Sequence, residues 1–329
     1  MEKKSKKSCF VIPAIITTII ILLGFLYYML FYSNFAKFSN ESKLSNFVTS
    51  LVGEQSVCSN NTNMRLLLVG IDYRGGDYLY GLADVIRFAE VDFENHSINM
   101  IAIPRDLIVE IPPDRFKVPG PYKVNQAYFF GTPGMQNYYG EGNGADALNE
   151  VLDYNFGISA DYYVVFNFQA FIAFVDAIGG VDVNLPEPVY GGSQGDFPLG
   201  EQTLSGERAL ALARIRENYS DEFRVGNQSL IIQAIFEKML QPTTFLKLPM
   251  LLGQFQNSIL TNLPLDQISN LALCFQGFDR ESLVTHQIPS ELLTLENLYL
   301  TSLNEYTYGF RWDSRLLDWI YVSLANSEK

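Results

Sequence analysis

The sequence predicts an α/β body with a covered sheet, carried behind a single N-terminal transmembrane helix. Three observations predict it. A charge-free apolar run follows a lysine-rich start. Three strand-like segments then succeed one another (MRLLLVGID, ADVIRFAEVDF, SINMIAIPRD). Further on, a strand (DYYVVFNF), a helix (QAFIAFVDAIGG) and a short strand (VDVNLPEPV) alternate, the order that builds layered sheets. With 48% hydrophobic and 14% aromatic residues among 329, the chain has the material for a packed core.

Residues 1–8 read as a basic cytoplasmic tail and residues 9–32 as the membrane span. The span holds about 24 residues, enough to cross a hydrocarbon layer of roughly 30 Å. Tyr27, Tyr28 and Tyr32 at its far end suit an interfacial belt, and the lysines before it place the body outside the cytoplasm. The run is long for a signal-peptide core and no small-x-small cleavage site follows, so it reads as an uncleaved anchor in the cell membrane. Residues 33–63, rich in Ser and Asn, read as a stalk.

The body is expected over 64–240. MRLLLVGID is a continuous apolar run that delivers Asp72 at its end, as a buried strand does. After a glycine-rich loop, Asp84 opens the second strand, and FENHS turns it into the third, which ends in Pro104-Arg105-Asp106. Lys123 and Asn125 introduce a helix, and NGADALNEVLDYNFG forms another, with Ala147, Leu148, Val151 and Leu152 apolar. The helix after DYYVVFNF stops at the pair Gly179-Gly180. Phe166, Phe168, Phe171 and Phe174 read as core rather than as a lipid groove. Residues 241–329 read as a helical C-terminal part packed on the same domain, closing with an amphipathic helix on which Leu316, Leu317 and Ile320 cluster.

The net charge is −13, although the first nine residues hold four lysines against Glu2. So acidic a body excludes nucleic acid as a partner held by the general field. With two histidines, His96 and His286, and three scattered cysteines, Cys9, Cys58 and Cys274, the zinc motifs and the Ser-His and Cys-His nucleophile systems fall away. Cys58 and Cys274 can pair only if the fold brings them together.

What remains is basic and acidic chemistry at chain turns. Arg214 and Arg216 stand where a helical run gives way to a loop, and Arg224 and Gln228 share one face of the next helix. Guanidinium forks take phosphate oxygens two at a time, so their convergence suits a diphosphate. The same spacing also fits surface arginines paired with Glu217, Asp221 and Glu222. Asp72 and Asp84, one loop apart, are ordinary loop acids or a joint site for a hard cation, Mg²⁺ or Mn²⁺.

Several blocks together resemble the LytR-CpsA-Psr family of bacterial membrane-anchored proteins. They are LLLVGID (66–72), Asp84, SINMIAIPRD (97–106), KVNQAYFFG (123–131), DYYVVFNFQAFIAFVDAIGGVDVNLP (161–186), LSGERALALARIRE (204–217) and FRVGNQSLIIQAI (223–235). The resemblance implies a central mixed sheet sandwiched by helices, with an apolar pocket for a prenyl tail. It implies transfer of a glycopolymer phosphate from a polyprenyl diphosphate carrier to an acceptor hydroxyl of the cell wall, usually on peptidoglycan. By position, Asp72 and Asp84 would hold Mg²⁺. Arg105, Lys123, Arg214, Arg216 and Arg224 would grip the diphosphate with help from Gln228, while Asp106 and Asn125 match less discriminating positions.

The chain departs from the family where an arginine often stands two residues before the second acid. Leu82 stands there, and Arg74 or Arg115 are the candidate substitutes. Arg87, read as an ordinary strand residue, would point away from Asp84. Beside the transferase, two further functions fit these residues: a hydrolase of polyprenyl diphosphates, and a membrane-tethered binder of lipid-linked polymer without turnover.

Overall fold

The structure, a computed structural model, describes residues 62–325 except 74–79, 217–219, 242–243, 245–258, 265–270, 272–273, 276 and 302. These fall within one compact unit, Gln55–Lys329. The expected membrane span over 9–32 lies outside the described residues, as does nearly all of the stalk. No helix among the described residues is long and apolar enough to cross a membrane.

The first three strands are β1 (Asn63–Ile71), β2 (Ala83–Asp92) and β3 (Ser97–Ile103), and all three pair antiparallel in sequence order. The turn between β2 and β3 is held by the Asp92 carboxylate, which accepts from the amides of Glu94 and Asn95 at 2.9 Å each. After the short pair β4 (Ile108–Val109) and β5 (Tyr122–Lys123) come α1 (Val124–Gly131) and α2 (Gly144–Phe156). Asn143 caps α2, and Gly157 ends it at φ 67, a left-handed position that glycine takes without strain.

Strand β6 (Tyr162–Asn167) returns parallel to β1, and α3 (Phe168–Ala177) stops before the expected glycine pair. The hairpin of β7 (Val181–Leu185) and β8 (Gly200–Leu204) leads into α4 (Gly206–Arg214) and α5 (Asp221–Met239).

The C-terminal part differs from its expectation. Where the sequence predicts helices, the described residues hold β9 (Ile259–Thr261), β10 (Leu283–Gln287) and a hairpin of β11 (Leu293–Leu300) with β12 (Glu305–Trp312). The closing helix α6 (Ser314–Leu324) is present and buries Leu316 and Ile320. β9, at three residues, is too short to announce itself by alternation, and it draws its stability from the ladder it joins.

The central sheet is mixed and six-stranded, in the order β10-β3-β2-β1-β6-β9. One face, with Leu67, Val69, Ile86, Phe88 and Ile101, packs against α1, α2 and α6. A second apolar cluster joins the β7–β8 hairpin to α3, α4 and α5. A third, around Met64, Val91, Met100 and Leu283, gathers under the segment of Leu271, Cys274 and Phe278. Cys274 is disulfide-bonded, and the chain's other two cysteines lie outside the described residues.

Candidate functional site

A cavity of about 290 Å³ opens where β1 ends, β2 begins and α4 gives way to α5. A β-bulge shapes its acidic wall. Gly70 pairs with Val85, but Ile71 pairs with Ala83, so Asp84 is the extra residue. Ala83, Ile86 and Phe88 consequently face one core, while Asp84 and Val85 both line the cavity. The same shift corrects the expectation for Arg87, which lies on the side of Val85 and therefore on the side of Asp84. Gly70 forms part of the floor, where a Cβ would sit 3.1 Å from Val85 Cβ and 3.2 Å from a Phe166 ring carbon.

Of the residues singled out by sequence, Asp72, Asp84, Arg105, Arg214, Arg216, Arg224 and Gln228 all line this cavity. α4 ends at Arg214, and extended backbone at Ile215 carries Arg214 and Arg216 past that buried side chain toward one side. The Arg214 guanidinium lies 4.7 Å from the centre of the Phe168 ring, a cation–π contact that orients the fork. On α5, the i, i+4 spacing puts Arg224 and Gln228 on the wall together.

Asp106, Lys123 and Asn125 do not line the cavity and stand behind it. Arg105 Nη1 donates to Asp84 Oδ1 at 2.7 Å, and Arg105 Nε to Asp106 Oδ2 at 3.2 Å. Lys123 Nζ donates to Asp106 Oδ1 at 2.8 Å, and the Asn125 amide donates to the Arg105 carbonyl at 3.2 Å. Lys123 and Asp106 thus position Arg105, which in turn engages Asp84. Burial opposes the charge on Asp106, but Lys123 and Arg105 outweigh it and hold the carboxyl below its usual range. Burial likewise opposes the charge on Arg105, and Asp84 and Asp106 outweigh it in the other direction.

Arg224 is different. Only 5% exposed, it pairs with Asp221 at 3.3 Å, and the carboxylate side chain is half in solvent. Burial, with Arg216 and Arg105 adding repulsion, pulls its guanidinium below the usual value despite Asp221. Its Nε is buried without a hydrogen-bond partner. Among the described residues, four arginines (Arg105, Arg214, Arg216 and Arg224) line the cavity against two aspartates, Asp72 and Asp84.

Sequence reasoning did not assign Arg87 to the site. It is 3% exposed and donates to Gln228 Oε1 at 3.2 Å and to the Val225 carbonyl at 3.3 Å, tying β2 to α5. The available signal was a charge in the middle of an apolar strand (VIRFAEV). At the departure from the family pattern, Leu82 is 40% exposed, and Arg115 is engaged by Glu150 away from the cavity. Arg74 lies outside the described residues.

A second cavity, about 370 Å³, adjoins the first. The two share Val85, Phe166, Phe171 and Ile232 in their walls. Its lining is apolar except for Arg87 and Thr261. The phenylalanines expected in the core thus line open space: Phe166 and Phe171 in both cavities, Phe168 in the first and Phe174 in the second.

The LytR_cpsA_psr family model matches residues 26–311. This chain belongs to the LytR-CpsA-Psr family. Within the family's reach, the regulatory protein MsrR of Staphylococcus aureus (strain COL) is 28% identical over 219 residues, 66% of this chain. The match spans 61% of the length of MsrR. The polyisoprenyl-teichoic acid–peptidoglycan teichoic acid transferase TagU of Bacillus licheniformis is 27% identical over 313 residues, 92% of this chain and 93% of that protein. Among solved structures, TagV of B. subtilis superimposes with a TM-score of 0.61 at 25% identity, covering 80% of this chain and 96% of TagV.

Proposed function

We propose that this LytR-CpsA-Psr protein transfers a glycopolymer phosphate from a polyprenyl diphosphate carrier to a hydroxyl of a cell-wall acceptor, with peptidoglycan as the first candidate. The observation that carries the proposal is the adjacency of two unlike cavities with a shared wall. One is walled by Arg105, Arg214, Arg216 and Arg224, and the other is almost wholly apolar. A lipid diphosphate is an anion joined to a long apolar chain, and it fills both at once. TagU, named for such a transfer, aligns over nearly its whole length. Its named activity supports the same reaction class here.

Asp72 and Asp84 share the cavity wall, and no group of three or more His, Cys, Asp or Glu residues among the described residues forms a closed metal cage. That donor set fits Mg²⁺, which is commonly held by one or two carboxylates and otherwise by water and substrate phosphate. Bound there, Mg²⁺ would neutralise charge on the phosphoryl oxygens.

The protein's own residues would do the rest. Arg214 and Arg216 would grip the diphosphate on the α4 side and Arg224 on the α5 side, while Gln228 orients it. Arg105, held by Asp84 and Asp106, would oppose the charge that spreads over the phosphoryl oxygens in the transition state. The apolar cavity would fix the lipid and keep water from that end. Little activation of the acceptor hydroxyl is needed if the transition state is loose. Of Asp72 and Asp106, the two aspartates that could serve as base, Asp72 is the one that lines the cavity and would accept its proton.

The test is product analysis with the full chain in nanodiscs, a polyprenyl-diphosphate-linked sugar, Mg²⁺ and peptidoglycan. Sugar phosphate joined to peptidoglycan supports the proposal. Free sugar phosphate identifies a hydrolase, and tight binding without prenyl phosphate release identifies a binder. The membrane anchor, cytoplasmic N-terminus and extracytoplasmic body belong to the same proposal, and accessibility of Lys3 and Lys329 to an impermeant reagent on either side of intact cells tests them.

A further inference from the structure

Among the described residues, Arg87 is the one charged residue in the wall of the apolar cavity, and at 3% exposure it is nearly sealed from water. Its hydrogen bonds go to two neutral acceptors, Gln228 Oε1 and the Val225 carbonyl, and its Nε is buried without a partner. No carboxylate among the described residues pairs with it. The nearest charge acting on it is another buried cation, Arg224. Burial first and Arg224 second bring its guanidinium down to about 10, which still leaves it charged at neutral pH.

Such an arrangement is costly. An ion taken out of water without a counter-ion loses several kcal/mol, and a like charge beside it adds to that loss. Bridging β2 to α5 does not need a charge, because a neutral amide could donate to Gln228 and Val225 equally well. A buried cation with spare donor capacity is explained if an anion completes the site. The position says which kind. Gln228, the partner of Arg87, lines the polar cavity, while Arg87 itself lines the apolar one. Arg87 therefore stands between the two cavities, its guanidinium turned toward Gln228 of the polar one, where the head of an amphiphile would meet its tail.

We infer that Arg87 is a specificity-determining residue, the cation that makes the site select a lipid by the phosphate bonded directly to its apolar chain. The inference rests on the lipid-diphosphate function proposed above and adds to it the group that reads the phosphate–lipid junction. Arg105, Arg214 and Arg216 face the polar cavity alone, so they read the head, and Arg87 reads its attachment to the tail.

The experiment measures binding of farnesyl diphosphate, farnesol and inorganic pyrophosphate to the full chain in nanodiscs. The proteins are wild type, Arg87→Met and Arg87→Lys. Arg87→Met should weaken farnesyl diphosphate by roughly 10- to 100-fold, the range of one charge-assisted contact, and leave farnesol unchanged. Arg87→Lys should recover part of the loss. Pyrophosphate should lose less than farnesyl diphosphate does. Parallel weakening of farnesol and farnesyl diphosphate would show that Arg87 only holds α5 in place, and unchanged farnesyl diphosphate binding would equally overturn the inference. A wild type that does not favour farnesyl diphosphate over farnesol would instead refute the lipid-diphosphate function itself. Should Arg87→Met not fold, Arg87→Gln, which keeps a donor for Gln228 and Val225 without the charge, supplies the same comparison.

Discussion

Lys123→Met is the change whose cost can be worked from the structure most fully. Lys123 Nζ and Asp106 Oδ1 are 2.8 Å apart, with side chains 15% and 21% exposed, so solvent screens the pair only in part. Methionine keeps the stem and removes the charge. Asp106 keeps its contact with Arg105 Nε at 3.2 Å but loses its shorter donor. A hydrogen bond to a charged group contributes about 1.5–3 kcal/mol, and with Arg105 remaining the expected loss at pH 7 is about 2 kcal/mol. The pH dependence is specific. The folded state holds the Asp106 carboxyl below its ordinary 3.8, so its stabilisation is complete above that value and disappears as the pH falls through the lower folded value. Urea unfolding of both proteins at pH 7, 5 and 3 checks this. The difference should be equal at pH 7 and 5 and should shrink by pH 3. An equal loss at all three values would show that Lys123 acts through packing alone, and no loss at pH 7 would remove Asp106 from the support of Arg105.

Four further outcomes are expected. Arg224→Met should lower turnover by about 10²-fold or more, as loss of one electrostatic donor does, without lowering the thermal midpoint, because it removes a buried cation with weak compensation. Ile232→Trp, in the wall shared by both cavities, should block long-chain lipid diphosphates while pyrophosphate still binds, as competition assays would show. Gly131→Val should cost about 1–3 kcal/mol in thermal or urea unfolding, since a Cβ there falls 2.3 Å from Ala147 Cβ and 3.0 Å from the Asn143 carbonyl oxygen. Chelation should abolish turnover and Mg²⁺ restore it, with Asp84→Asn raising the Mg²⁺ concentration required for half-maximal rate.

Much of the site was legible because strand ends and helix faces are local. An apolar run ending in Gly70-Ile71-Asp72 declares a buried strand and its rim, and the spacing of Arg224 and Gln228 declares a shared helix face. The covered sheet followed from the alternation of strands and helices, and the family resemblance supplied its mixed character. The bulge at Asp84 was not legible, because it is a property of the pairing between β1 and β2 and not of either strand. That one inserted residue reversed the expected side of Arg87. The phenylalanines of α3 and β6 were legible as apolar but not as cavity walls. Whether an apolar side chain meets another or borders a void is decided by elements distant in sequence, here β2 and α5. β9 was missed for a similar reason: it exists by virtue of the sheet edge that receives it.

The most direct measurement is a crystal structure of the chain with farnesyl diphosphate and Mg²⁺. The account predicts the diphosphate within hydrogen-bonding distance of Arg105, Arg214 and Arg224, and the farnesyl chain running past Phe166 and Phe171 into the apolar cavity. A diphosphate bound elsewhere, or a farnesyl chain directed into solvent with the apolar cavity empty, would contradict it.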